Sequence, residues 1–170
     1  MAICEIITLP HPTLRRKARK VTDFGAEVQT LIDDMLETMR EAPGVGLAAP
    51  QVNSQLRVIV VEFGDEEDPE VPEKLYVVIN PEINRFSKDV VTGTEGCLSI
   101  PGVLGDVERP QVVTVKGLNR QGKPFKIKAE GWLARIFQHE IDHLDGILFV
   151  DRAENVWMSD EKTTQIAAAK

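Results

Sequence analysis

At 170 residues, with 42% apolar and 28% charged side chains, the chain has the make-up of one ordinary globular domain able to bury a core without cross-links. A net charge of −7 argues against nucleic-acid binding through bulk electrostatics, so no DNA partner is expected, and two cysteines, Cys4 and Cys97, are too few for a disulfide framework. No stretch approaches the apolar length of a bilayer span, and Met1-Ala2-Ile3-Cys4-Glu5 has no charged segment leading into an apolar run; no membrane association is expected, and the chain reads as a protein of a reducing cytoplasm.

In chain order, Thr8 to Pro12 carries two prolines around His11 and reads as a turn, with His11 a surface or turn residue rather than a ligand. Arg15, Arg16, Lys17, Arg19 and Lys20 form a basic cluster, read as a solvated face. Val28, Leu31, Ile32, Met35, Leu36 and Met39 recur at helical spacing and predict an N-terminal amphipathic helix ended by Pro43-Gly44. The following Gly44-Val45-Gly46-Leu47-Ala48-Ala49-Pro50-Gln51 is loop-like and is not a dinucleotide fingerprint, since no strand precedes it and a third glycine is missing.

Leu56 to Phe63 and Leu75 to Ile79 are β-rich runs expected as buried strands, separated by an acidic, proline-bearing exposed loop from Gly64 to Glu73. Val112 to Leu118 and Phe125 to Ala129 flank Asn119-Arg120-Gln121-Gly122-Lys123 as a hairpin. Trp132 to Asp145 carries Leu133, Ile136, Phe137 and Leu144 at helical spacing, with Gly146 placed to end the helix. The expected fold is α+β, with antiparallel or mixed strands packed around the helix at 132–145. Residues 1–152 are read as one catalytic domain and 153–170 as a tail, with a short helix around Glu161 to Ala169.

The chemistry concentrates in His139-Glu140-Ile141-Asp142-His143, which holds two of only three histidines in the chain. Residues four apart share one helical face, so the two imidazoles can converge on a metal while Glu140 points slightly aside, placed to take a proton from water. A solvated face carrying two histidines is the plainer reading, and a third ligand decides between them. Downstream the candidates are Glu154 and Glu161; upstream stands Cys97 in Thr94-Glu95-Gly96-Cys97-Leu98-Ser99, although a lone cysteine is more often a small buried hydrophobe.

Three segments occur together in order: Gly44 to Gln51, Glu95 to Ser99, and Gln138 to His143. They resemble the three signature motifs of peptide deformylase, and the likeness extends to Leu9-Pro10-His11-Pro12-Thr13-Leu14-Arg15 and Leu144-Asp145-Gly146-Ile147-Leu148-Phe149, covering residues 3 to about 152. The resemblance implies that Cys97, His139 and His143 bind one divalent ion, Fe2+ in the first instance with Zn2+ or another divalent ion as alternatives, leaving a fourth position open. It implies hydrolysis of the N-formyl group from the N-terminal methionine of new polypeptides, with release of formate. Glu140 would be the general base, and the Leu98 N–H and Gln51 amide would stabilise the oxyanion. The backbones of Val45, Gly46 and Gly96 would pair an extended formyl-methionyl peptide, and its side chain would enter a pocket near Val45, Trp132 and Ile136. Glu95 is expected to pair with Arg109 and brace the metal loop, and Ser99 to serve as a hydrogen-bonding residue rather than a nucleophile.

The likeness thins in Gly102 to Arg109, where Leu104 stands at the position of a peptide-contacting arginine in some members. Transient ribosome association is expected of such an enzyme, yet Asp151 to Lys170, with four acidic and three basic residues, is not a basic docking arm. Two other readings compete. A metallopeptidase cutting internal bonds fits poorly, because no histidine follows His143 and the cysteine lies upstream; an inactive peptide-binding relative would need a lost ligand, base or oxyanion donor, and all are present.

Overall fold

The structure is a computed structural model that describes residues 2–64 and 67–159. A 3₁₀ turn at Pro12–Arg15 and helix α1 (Ala26–Glu41) lead into β1 (Gly46–Ala48), a second 3₁₀ turn (Ala49–Val52), β2 (Val58–Phe63) and β3 (Lys74–Phe86). β4 (Val90–Cys97), β5 (Ile100–Pro110), β6 (Val112–Leu118) and β7 (Pro124–Glu130) follow. Helix α2 (Gly131–Leu144), the short α3 (Phe149–Arg152) and β8 (Asn155–Met158) complete the order. The helix expected around Glu161 to Ala169 lies outside the described residues.

The strands form two antiparallel sheets, β1-β2-β3-β6-β7 and β4-β5-β8. β2 explains why its sequence is apolar without interruption: side chains alternate faces along a strand, and both faces here are covered. Val58 and Val60 join the cluster built on α1 with Ile32, Met35 and Met39, whereas Ile59 and Val61 join Phe137, Ile136 and Leu144 of α2. A third cluster of Cys97, Ile100, Val107, Leu148 and Phe149 lies under the second sheet. α2 therefore packs against both sheets, and ten of its residues, both histidines included, are buried.

β3 runs past the expected end at Ile79. Asn80 takes a left-handed conformation, φ 53°, and Pro81 has no N–H to give the ladder, so the pairing with β6 shifts register there and resumes at Glu82. Asn80 bridges the gap with its side chain, accepting from the Val21 N–H at 2.8 Å and donating to the Val21 carbonyl at 3.0 Å.

Strands β1, β4, β5 and β8 were not expected as strands, Gly46–Ala48 falling in the segment read as loop. Gly93, Gly96, Gly102, Gly105 and Pro101 dilute the alternation by which a strand is recognised. Asn155–Met158 pairs with β5, so the first part of the expected tail is laid on the second sheet. The basic cluster from Arg15 to Lys20 is exposed apart from Ala18, with Arg15 paired to Asp151. His11 caps the first 3₁₀ turn, its Nδ1 accepting from the Thr13 N–H at 3.2 Å.

Candidate active site and metal centre

Three segments far apart in sequence meet at the buried face of α2. One helical turn separates His139 and His143, whose ring centroids lie 5.1 Å apart. Cys97, the last residue of β4, brings its Sγ to 3.4 Å from His143 Nε2. One donor atom from each of Cys97, His139 and His143 falls within 4.8 Å of the others, and all three residues are buried. His139 Nε2 and His143 Nδ1 are buried with no hydrogen-bond partner among the described residues, an expensive arrangement for imidazoles that have nothing to bind. A sulfur and two imidazoles, closely grouped and shielded from water, fit a soft or borderline divalent cation.

Glu95 orients the first histidine. Its Oε1 lies 2.9 Å from His139 Nδ1. A carboxylate only accepts, so Nδ1 carries a proton, and in the neutral ring that a metal would bind the lone pair stands on Nε2, the atom with no partner. Arg109 holds Glu95 through Nε at 2.6 Å and Nη2 at 2.9 Å, the bracing pair expected from the sequence, and reaches Asp142 Oδ2 at 3.0 Å. Burial works against the charge on Glu95, but the hydrogen bonds from Arg109 and His139 prevail and hold its carboxyl well below the usual range. Burial likewise opposes a charge on His139, yet the nearby Cys97 thiol, the Glu95 carboxylate and Glu140 lift its pKa to about 10. His143 goes the other way, pushed down by burial and by the adjacent His139 and Arg109. The protein groups alone favour one positive charge at this point and resist a second.

Gln51 reaches the group from the second 3₁₀ turn. Its Oε1 accepts the Ala48 N–H at 3.0 Å, which fixes the amide with its NH2 toward Ser99 Oγ at 3.2 Å and Cys97 Sγ at 3.6 Å. Ser99 thus serves as a buried hydrogen-bonding residue. Leu98, half-buried, sits with Ser99 in the turn between β4 and β5. The N-terminal segment ties these pieces together: the Ile7 N–H donates to the Gln51 carbonyl at 2.8 Å and the Leu9 N–H to the Ser99 carbonyl at 3.0 Å.

Glu140 is completely buried, and β1 runs directly against it. A Cβ at Gly46 would lie 2.6 Å from Glu140 Oε2, so only glycine lets this backbone come so close. The Glu62 N–H donates to the Val45 carbonyl at 2.9 Å, so Gly46, next along the strand and opposite Val61, turns its own N–H and C=O away from β2. β1 is the edge of its sheet and β4, with Gly96, the edge of the other. Two strand edges therefore converge on the histidine pair. Val45, Trp132 and Ile136 belong to one apolar cluster. Leu104 pairs with Gly96 on one side and Trp157 on the other.

Two participants escaped the sequence reading. Asp142 lies inside the motif and accepts from both Arg109 and Arg152, the latter at 2.6 Å and 3.0 Å. Arg135 is buried and donates to Glu95 Oε2 at 2.6 Å. The available signal was a cation at i−4 from His139, on the face carrying the motif.

An α+β scaffold carrying this buried Cys/His/His group beside a glutamate defines a metal-dependent hydrolase. Residues 3–158 match the family model of polypeptide deformylase. The peptide deformylase of Natranaerobius thermophilus is 52% identical over 161 residues, covering 95% of this chain and 99% of that protein. That of Symbiobacterium thermophilum is 55% identical over 156 residues, covering 92% of this chain and 69% of that protein. Among solved structures, the peptide deformylase of Thermotoga maritima superposes with a TM-score of 0.84 at 37% identity, covering 91% of this chain and 100% of that one. A Met-Ala-Ser-bound class I type b peptide deformylase from Acinetobacter baumannii gives 0.82 at 41% identity, covering 89% and 98%. The chain belongs to the polypeptide deformylase family. Its reaction is the metal-dependent hydrolysis of the N-formyl group from newly made polypeptides. No helix among the described residues is long and apolar enough to cross a membrane.

Proposed function

We propose that Cys97, His139 and His143 hold a single divalent ion, Fe2+ in preference to Zn2+, and that Glu140 is the proton-transferring residue of the deformylation. The observation that carries this reading is the buried donor group, with His139 Nε2 left without a hydrogen-bond partner and its opposite nitrogen tied to Glu95. A divalent ion held there would lower the pKa of a coordinated water and polarise the formyl oxygen.

The protein's own groups do the rest. Glu140, shielded from solvent against Gly46, takes a proton from the attacking water and passes it to the departing amine. The Gln51 amide, locked by Ala48 and Ser99, donates to the developing oxyanion together with the Leu98 N–H; a carboxylate at position 51 would repel that charge. The formyl-methionyl peptide lies extended between the edges of β1 and β4, reading Gly46 and Gly96 through main-chain hydrogen bonds. Val45 contributes less than its neighbour, since its carbonyl is already taken by Glu62. The methionine side chain enters the apolar surroundings of Val45, Trp132 and Ile136. That a relative binds Met-Ala-Ser supports a peptide occupant of this kind.

The catalytic unit is residues 1–152, with the first part of the tail 153–170 laid on its second sheet as β8, and the enzyme works in the cytoplasm close to the ribosome, where formylated chains emerge. The test is formate release from a formyl-methionyl peptide by anaerobically prepared protein of known metal content. Glu140→Gln should retain the metal and lose about 10²–10⁴-fold in turnover. Comparable turnover in that variant would remove Glu140 from the mechanism.

A further inference from the structure

We propose that Arg135 is a positioning residue of the metal centre: seated over Gly93, its guanidinium fixes Glu95, and through Glu95 the ring of His139. The inference rests on the reading of Cys97, His139 and His143 as the ligands of the ion.

Arg135 stands one helical turn before His139 on α2, so both side chains leave the same face. They grasp opposite oxygens of one carboxylate. Arg135 Nη1 donates to Glu95 Oε2 at 2.6 Å, and His139 Nδ1 meets Oε1 at 2.9 Å. The guanidinium also donates to two strand carbonyls, Val107 at 2.8 Å through Nη1 and Val91 at 2.7 Å through Nη2. Val91, Gly93 and Glu95 are alternate residues of β4, hence on one face of the strand, and Val107 of β5 is paired with Gly93. The guanidinium accordingly rests over Gly93 and bonds to a residue on each side of it.

Gly93 is what admits it. A Cβ there would lie 2.9 Å from Arg135 Cζ and 3.0 Å from Nε, and three hydrogen bonds prevent the guanidinium from stepping aside. The Trp132 ring covers it, its centroid 5.3 Å from Cζ. With its side chain only 4% exposed, Arg135 has no water to take over its bonds.

Arg109 does not make this residue redundant. It comes from β5 and joins Glu95 to α2 at Asp142, beyond His139, whereas Arg135 grips the carboxylate from α2 itself, one turn before His139. Arg135 and His139 together fix how α2 sits against β4, and therefore where His139 Nε2 stands relative to Cys97 at the end of that strand. Groups that orient a metal-binding histidine are typically worth about 10–100-fold in metal affinity or activity. One step further out, about tenfold is expected.

The test uses protein loaded with Co2+, whose visible bands and thiolate-to-cobalt charge-transfer absorption report the ligand geometry. Metal loss into excess chelator is timed, and kcat and KM are measured with a formyl-methionyl peptide. Arg135→Met should lose Co2+ about tenfold faster, with shifted visible bands and a lower kcat at an unchanged KM. Arg135→Lys, able to remake only part of the bond set, should recover part of both. Gly93→Ala, which crowds the guanidinium without removing it, should give the same signature alone and add nothing in the Arg135→Met background.

A folded Arg135→Met with wild-type metal loss and spectrum would overturn the proposal. So would a Gly93→Ala defect that persists in full without Arg135. Should Arg135→Met fail to fold, Arg135→Lys and Gly93→Ala carry the same comparison. Wild-type protein without a thiolate-to-cobalt band would instead overturn the ligand assignment itself.

Discussion

Gly46→Ala puts the smallest side chain at the point where β1 comes closest to Glu140. The added methyl would stand 2.6 Å from Glu140 Oε2 and 3.0 Å from both Cδ and Cγ, where ordinary contact begins at 3.4 Å, an overlap of about 0.8 Å at the nearest atom. Backbone strain is not the issue, since Gly46 is not among the residues of positive φ. The overlap has two ways out. β1, held to β2 through Gly46–Val61, Leu47–Val60 and Ala48–Ile59, is pushed off its ladder, or the Glu140 carboxylate rotates away. Either the proposed peptide-binding edge or the proposed proton-transferring carboxylate moves by close to an ångström, and a misplacement of that size costs about 10²-fold in rate. Overpacking of this kind destabilises by about 1–3 kcal/mol. The three proposed metal ligands are untouched, so metal content should stay at the wild-type level. Formate release per bound metal, with a thermal melt on the same samples, separates the effects: turnover down about a hundredfold, metal retained, melting temperature a few degrees lower. In the Glu140→Gln background the same substitution should add little, because the group it displaces is already inert. A fully metallated Gly46→Ala enzyme working within threefold of wild type would refute the argument that this glycine is there to admit the glutamate.

If Gln51 acts as proposed, Gln51→Ala removes an oxyanion donor and should lower kcat by about 10²–10³-fold. It also leaves the buried Ala48 N–H and Ser99 hydroxyl without their partner, so a stability loss of about 1–3 kcal/mol should accompany it in denaturant titration. Gln51→Glu, nearly isosteric, separates the two effects: a kcat close to wild type would exclude the oxyanion role. Far from the site, Arg40 holds Glu62 through bonds of 3.0 Å and 2.8 Å, and these lower the Glu62 pKa against the opposing effect of partial burial. A carboxylate depressed in the folded state stabilises above its unfolded pKa and loses that contribution as pH falls through the folded one. Glu62→Gln should therefore be less stable than wild type at neutral pH by under about 1 kcal/mol, Arg40 being half-exposed, and the gap should close in acid. A gap that widens on acidification would contradict the assigned sign.

Most of the first sheet could be read from sequence because its strands carry their pattern locally; the three-residue β1, read as loop, is the exception. Leu56 to Phe63 is apolar throughout because β2 is covered on both faces, and the hairpin of β6 and β7 is marked by Gly122, whose φ is 82°. The second sheet could not. Its glycines answer to atoms from other parts of the chain. Gly93 faces the Arg135 guanidinium, and Gly105 meets Asn155, Val156 and Ala153 of the segment that forms and precedes β8. Such residues look like loop in a window of ten because the reason for them lies about 40 or more positions away. Pro81 in β3 misled in the same way: the bulge that tolerates it depends on Asn80 reaching Val21.

The same division runs through the site. His139 and His143 are adjacent by helical geometry alone, so their convergence follows from spacing. Cys97 has no local mark of ligation; the role proposed for it is implied by resemblance, and its physical setting is given only by the fold, which ends β4 beside His143. Arg135 is the sharper case, since helical periodicity assigns a position between Ala134 and Ile136 to packing, and an arginine there reads as surface. It is tolerated inside only because Glu95 and two strand carbonyls meet it, while Glu95 in turn is stabilised in its charged form by Arg109 and His139. Each charge in that group is explained by the others, and none by its own neighbours in sequence. A buried ionic cluster of this kind is costly unless complete. Its completeness beside the two histidines ties the orientation of the proposed ligand His139 to the docking of α2 against β4.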